Sequence, residues 1–175
     1  MKYGVINTSG EVVIELIYDT ISEFSEGLAA VKLDGLWGFI NTLGEIVIPL
    51  QFNFAGSFNE GLAKVTNTEE LTGYINYLGE VVIPFQFYFG HNFYEGMAFV
   101  SHPIDRFIFI NKKGERLFST GESQALSEFK NGLAIISGKN GWRLINKKGS
   151  ELFCRPSTFI NGFSEGLAVF GSFDE

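Results

Sequence analysis

The apolar positions of this chain fall in short runs, and the runs repeat. The clearest stretch, residues 35–62, reads GLWGFINTLGEIVIPLQFNFAGSFNEGL. Within it Ile-Asn-x-x-Gly recurs along the chain with its asparagine at Asn7, Asn41, Asn76, Asn111 and Asn146, at steps of 34 or 35 residues. Phe-x-x-Gly-(Leu/Met)-Ala recurs with its glycine at Gly27, Gly61, Gly96, Gly132 and Gly166, at steps of 34 to 36. Two patterns locked to one period mark an array of structural repeats. The reading is one repeat domain of five units, at 1–34, 35–69, 70–104, 105–139 and 140–175.

Each repeat predicts three short strands, because runs of β-branched and aromatic residues alternate with turn residues. The first strand falls at 28–31, with copies at 62–65, 97–100, 133–136 and 167–170, and the second and third fall at 37–41 and 45–48 with their own copies. Asn-x-x-Gly places asparagine first and glycine fourth in a type I turn, with the glycine at positive φ in a bulge. Asp34-Gly35 and Asn140-Gly141 are strong type I′ dipeptides, so the first two strands also join as a hairpin. The links 66–71 and 101–106 are a residue longer and are expected to be looser. Pro49 and Pro84 are expected to stop the third strand or to mark an edge. The fold class is therefore all-β, an array of antiparallel three-stranded meanders. An open, twisted array is favoured over a closed, propeller-like ring of five units, because three strands make a small propeller blade.

The period of two assigns faces. Ala29, Ala63, Ala98, Ala134 and Ala168, with the apolar residue two positions on, should be buried. Ile6, Ile40, Ile75, Ile110 and Ile145 should also point inward. The intervening position varies as Ala30, Lys64, Phe99, Ile135 and Val169, and is read as outward-facing or partly covered. Phe24, Phe58, Phe93, Phe129 and Phe163 recur at one register and are read as plugs between successive meanders. Glu26, Glu60, Glu95 and Glu165 are read as acceptors for amides of their own turns. Repeats four and five depart from the pattern, with Ile108 and Arg143 replacing the glycine after the aromatic, and Arg116 and Glu151 entering strand three.

These residues resemble the bacterial WG-repeat family, on WGFINTLGEIVIP with FNEGLAKV and on GYINYLGEVVIP with FYEGMAFV. The resemblance covers essentially the whole chain. The namesake pair itself stands only at Trp37-Gly38, with Tyr3-Gly4, Thr72-Gly73, Phe107-Ile108 and Trp142-Arg143 elsewhere. It implies β-rich arrays in bacterial proteins regarded as binding or scaffolding modules, and it brings no catalytic residues with it.

Composition narrows the function. A net charge of −7 and a pI near 4.9 exclude the basic face that nucleic acid or an anionic membrane surface requires. Cys154 is the only cysteine, so no intrachain disulfide forms. With no signal peptide before Tyr3, a cytoplasmic location is expected, or a surface one if the chain is an excised domain. No apolar stretch is long enough for a membrane helix. His91 and His102 lack the spacing and partners of a metal site, and Cys154 lacks a positioned base. The expectation is a non-enzyme with no cofactor and no metal. It binds protein or peptide, with glycan or cell-wall binding by exposed aromatics as the alternative. The aromatic-rich connector supplies the candidate contact residues Phe85, Phe87, Tyr88, Phe89 and Tyr94.

Overall fold

A computed structural model describes residues 1–125, 127–138, 141–155, 158–163 and 166–172. Asn140 and Glu165 lie outside the described residues. The described residues are all-β, in small antiparallel sheets none of which closes on itself. The chain divides into two compact units, Met1–Asn92 and Phe93–Glu175.

In the first unit β1 (Tyr3–Ile6) pairs with β2 (Val12–Tyr18). A four-stranded sheet follows in sequence order, made of β3 (Thr20–Ile21), β4 (Leu28–Leu33), β5 (Leu36–Asn41) and β6 (Ile46–Phe52). The next has the same build from β7 (Phe54–Ala55), β8 (Ala63–Thr66), β9 (Thr72–Ile75) and β10 (Val81–Phe87), before β11 (Phe89–Gly90). In the second unit β12 (Met97–His102), β13 (Arg106–Asn111) and β14 (Arg116–Gly121) pair in order. So do β15 (Gln124–Ala125), β16 (Leu133–Gly138), β17 (Gly141–Asn146) and β18 (Glu151–Cys154). The pair β19 (Thr158–Ile160) and β20 (Phe170–Ser172) comes last. The sheets β3–β6, β7–β10 and β15–β18 thus hold four strands and not the three expected. The added strand is two residues long at β3, β7 and β15, too short to leave a periodic signal in sequence.

The turns follow the sequence reading. Asn41 Oδ1 accepts from the amides of Leu43 and Glu45, each at 3.0 Å, and Gly44 N donates to Asn41 O at 3.0 Å, with φ of +84° at Gly44. Asn41 Nδ2 also donates to the Glu45 carboxylate at 2.7 Å. The longer links are not loose. Asn67 Oδ1 accepts from Glu69 N and Leu71 N, rebuilding the same turn with Glu70 in the glycine position at φ +61°. His102 Nδ1 accepts from Ile104 N and Asp105 N at 3.3 Å each.

Packing corrects the face assignment. Ala29, Val31 and Ile40 cluster with Ile14 and Tyr18 of β2, while Ala30, Phe39 and Ile48 on the other face cluster with Phe58, Ala63, Val65 and Ile75. Sheet β3–β6 is therefore buried on both faces, and Ala30, Phe99 and Ile135 are core residues. Phe58 does plug two meanders, its ring 4.9 Å from both Phe39 and Tyr77. Two inward assignments fail at the ends of the array: Ile6 is 65% exposed and Phe170 48%. Of the expected strand 167–170 only Phe170 lies in β20.

The prolines do not end their strands. Trp37 pairs with Phe52 and Phe39 with Ile48, so Gly38 alone faces Pro49, Leu50 and Gln51 in a bulge of the edge strand β6. Proline fits there because the ladder is already interrupted. A Cβ on Gly38 would lie 2.5 Å from Ile48 O, so the glycine is required by backbone approach. Thr72↔Phe87 and Tyr74↔Ile83 leave Gly73 in the same relation to Pro84, Phe85 and Gln86. Where Ile108 and Arg143 replace the glycine they pair directly, with Ser119 and Cys154. The departure in repeats four and five is thus a change from bulged to more regular pairing.

The repeated glutamates reach further than their own turns. Glu26 accepts from the amides of Glu60 (2.8 Å) and Gly61 (3.0 Å), one repeat on, and from the Tyr77 hydroxyl (2.8 Å). That bond raises the pKa of Tyr77. Glu95 likewise accepts from Gly132 N at 3.0 Å and lies 3.4 Å from Lys147 Nζ. Each carboxylate joins consecutive repeats.

Candidate functional site

The candidate contact residues separate on folding. Phe87 is 1% exposed and belongs to the core, which corrects its assignment as a contact. Phe85, at the tip of the Gly73 bulge, turns back onto the core cluster. Tyr94 is half-buried in the second unit, where it closes a tight turn with Met97. Only Tyr88 (63% exposed) and Phe89 (40%) present their rings to solvent, side by side around β11. The reason is alternation: β10 buries Phe87, and the chain turns out at Tyr88 before β11.

Tyr88 and Phe89 line a cavity of about 230 Å³ with Phe54, Lys64, Thr66, Thr72 and Gly90, all in the first unit. Phe54, 42% exposed, stands on β7 and packs its ring 5.6 Å from Trp37. Thr66 and Thr72 face each other across β8 and β9. Tyr74, from β9, is buried and donates its hydroxyl to His91 O at 2.7 Å, and burial pushes its pKa well up. His91 sets its ring edge-on to Phe89 at 5.0 Å, so the floor of the cavity is held from behind.

Lys64 is the residue that the sequence reading passed over. It stands in β8 at the register of Ala30, Phe99 and Ile135, all of them core. Its stem is half-buried, and its Nζ donates to Gly90 O at 3.2 Å and lies 5.5 Å from the centre of the Phe54 ring. It forms no ion pair among the described residues, and burial lowers its pKa. The room is made by Gly56, where a Cβ would lie 2.9 Å from Lys64 Cγ and Cε. At the register of Gly56 stand Ser22 and Ser127, whose hydroxyls accept from Ala30 N and Ile135 N. The pair Gly56 and Lys64 stands where repeat one has Ser22 with Ala30, repeat three His91 with Phe99 and repeat four Ser127 with Ile135, and only a comparison of registers within the chain reveals it. Beneath it Asn92 Oδ1 is buried with no hydrogen-bond partner among the described residues.

The other polar candidates serve the framework. Cys154 is a free, half-buried thiol at the end of β18, opposite Arg143. Arg143 bonds Ser123 and lies 3.4 Å from Glu151 beside a smaller cavity floored by Phe118 and Ile145.

No curated protein matches this chain. Among solved structures it is similar to the computationally designed Ika8 protein, at 14% identity and a TM-score of 0.56 over 94% of this chain and 59% of that one. It is also similar to BamB from Moraxella catarrhalis, at 10% identity and a TM-score of 0.51 over 94% of this chain and 64% of that one. These are likenesses of fold, and the chain spans about three fifths of the length of each structure. The description "WG containing repeat" matches residues 3–37, 37–68 and 73–102, more than half of the chain, on the stretches that carry the bulged Gly4, Gly38 and Gly73. The chain belongs to the WG containing repeat family.

Proposed function

We propose that the protein is a non-catalytic repeat module that binds a protein or peptide through the aromatic rim formed by Phe54, Tyr88 and Phe89. The observation that carries this reading is three exposed rings around one cavity whose walls are otherwise framework. Aromatic anchors beside a pocket are where binding energy concentrates. The cavity holds one lysine, two threonines and no nucleophile–base pair, so it presents binding groups and not a catalytic set. Panning a random peptide library against the full chain should enrich a binder whose affinity falls at least tenfold in Tyr88→Ala and Phe54→Ala. Enrichment indifferent to both variants would refute the rim as the site. Binding to purified peptidoglycan with no enriched peptide would move the reading to glycan recognition, which stacked rings also support.

The repeats are proposed to form an open, twisted array of five. In support, β1–β2 and β19–β20 are two-stranded sheets that gain no further strand among the described residues. The four-stranded sheets are equally the unit of propellers, so a closed ring of five is the second reading. Small-angle scattering separates an elongated particle from a disc.

A further inference from the structure

We infer that the Lys64 cavity is a receptor for a carboxylate, the terminal or acidic side-chain carboxylate of a bound peptide. The inference rests on the peptide-binding reading above and gives it a chemistry.

A half-buried ammonium without a counter-ion is costly, and proteins keep such groups where they serve a ligand. At this register repeats one, three and four hold alanine, phenylalanine and isoleucine, so the fold itself asks for an apolar residue. Repeat two holds Lys64, and Gly56 is the residue that admits its stem. Gly56 N bonds Lys64 O, so the small residue and the long stem build one feature. Nζ uses one donor on Gly90 O, and its remaining donors have no partner among the described residues. The Phe54 ring steadies the cation through its face without neutralising it. A carboxylate entering between Tyr88 and Phe89 would restore the missing charge partner, and Thr66 lies in the same wall to donate a hydroxyl.

Size and charge choose the class. At about 230 Å³ the cavity falls below the ~300–1,000 Å³ of ordinary small-molecule pockets. It has room for one residue of a peptide, aromatic rings packing on its apolar part. A phosphate dianion is typically held by bidentate arginine or by several amides, and neither lines this cavity.

The test uses the full chain and four probes: N-acetyl-Phe-Phe with a free C-terminus, N-acetyl-Phe-Asp amide, N-acetyl-Phe-Phe amide, and glucuronic acid. Amide resonances of Thr66, Thr72 and Gly90 are followed by NMR up to millimolar concentration. One or both carboxylate peptides should bind at least tenfold more tightly than the amide peptide, and which one binds identifies the terminal or the side-chain source. Lys64→Met should abolish that preference while melting no lower than wild type, because it removes a desolvated charge; Lys64→Arg should retain part of it. Equal binding of free-acid and amide peptides overturns the carboxylate and leaves the peptide rim standing. A preference surviving in Lys64→Met overturns Lys64 as its source. Binding of glucuronic acid alone overturns the peptide, and no binding by any probe overturns both readings.

Discussion

A single glycine in this fold answers to two different demands, and substitutions can separate them. Gly10 and Gly44 hold the same place in the Asn-x-x-Gly turn, with φ of +82° and +84°. A Cβ on Gly10 would meet nothing within 4 Å, while one on Gly44 would lie 2.8 Å from Ile14 Cγ1 on the neighbouring sheet. Gly10→Ala should therefore cost only the left-handed backbone penalty, about 1–2 kcal/mol. Gly44→Ala should cost that and a further ~1 kcal/mol or more for displacing Ile14 from a packed core. Urea unfolding of the two variants gives the comparison, and equal losses would mean that Ile14 gives way freely. The namesake Gly38 belongs to a third kind: its φ is ordinary and its Cβ is excluded by Ile48 O. Pattern alone identified the turn glycines, because Asn-x-x-Gly is local chemistry. It gave no reason for Gly38, since the approaching backbone belongs to a bulge set by residues ten positions away.

Between elements, hydrogen bonds add to what hydrophobic stacking provides. Glu95 is partly desolvated, which favours its neutral form, but the Gly132 amide, Lys147 and the Asn131 amide outweigh this and hold its pKa below the ordinary value. A carboxyl with a lowered folded pKa contributes stability that is fully present above its unfolded pKa and is lost as the pH falls through the folded one. The link between repeats should thus weaken on acidification below about pH 4.5. Glu95→Gln should lower the melting temperature at pH 7 and flatten the acid limb below pH 5, and parallel wild-type and variant curves would show that Glu95 carries no such linkage. The strands on either side of these links were legible from period and turn chemistry. The linkage was not, because 34 residues separate Glu26 from the amide it holds. The fourth strand was equally hidden, its two residues being placed by pairing with β4, β8 or β16 and not by a pattern of their own. Alternation assumes one wet face and so assigns Lys64 outward or to a partial cover, whereas stacking covers both faces. Of the site, the aromatic surplus of the connector pointed to Tyr88 and Phe89 but could not show that Phe87, in the same run, is core.

At the scale of the whole molecule, charge opposes the ligand that the cavity is inferred to take. The chain carries −7, so an anionic peptide approaches against the net field and meets its counter-charge in the cavity at Lys64. Repulsion at a distance is screened once the Debye length shrinks, from about 30 Å at 0.01 M salt to ~10 Å at 0.1 M. The contact with a half-buried ammonium lies inside that length and between aromatic rings, where salt screens it less. The two effects act on different rate constants, since long-range fields govern encounter and short contacts govern escape. Raising salt over that range should therefore speed association of the carboxylate peptide and change its dissociation rate by less than about twofold. Stopped-flow measurements of binding at several salt concentrations would show tighter binding as salt rises, the reverse of an ordinary surface ion pair. If affinity instead falls as salt rises, the carboxylate meets an exposed cation and Lys64 is not the group that holds it.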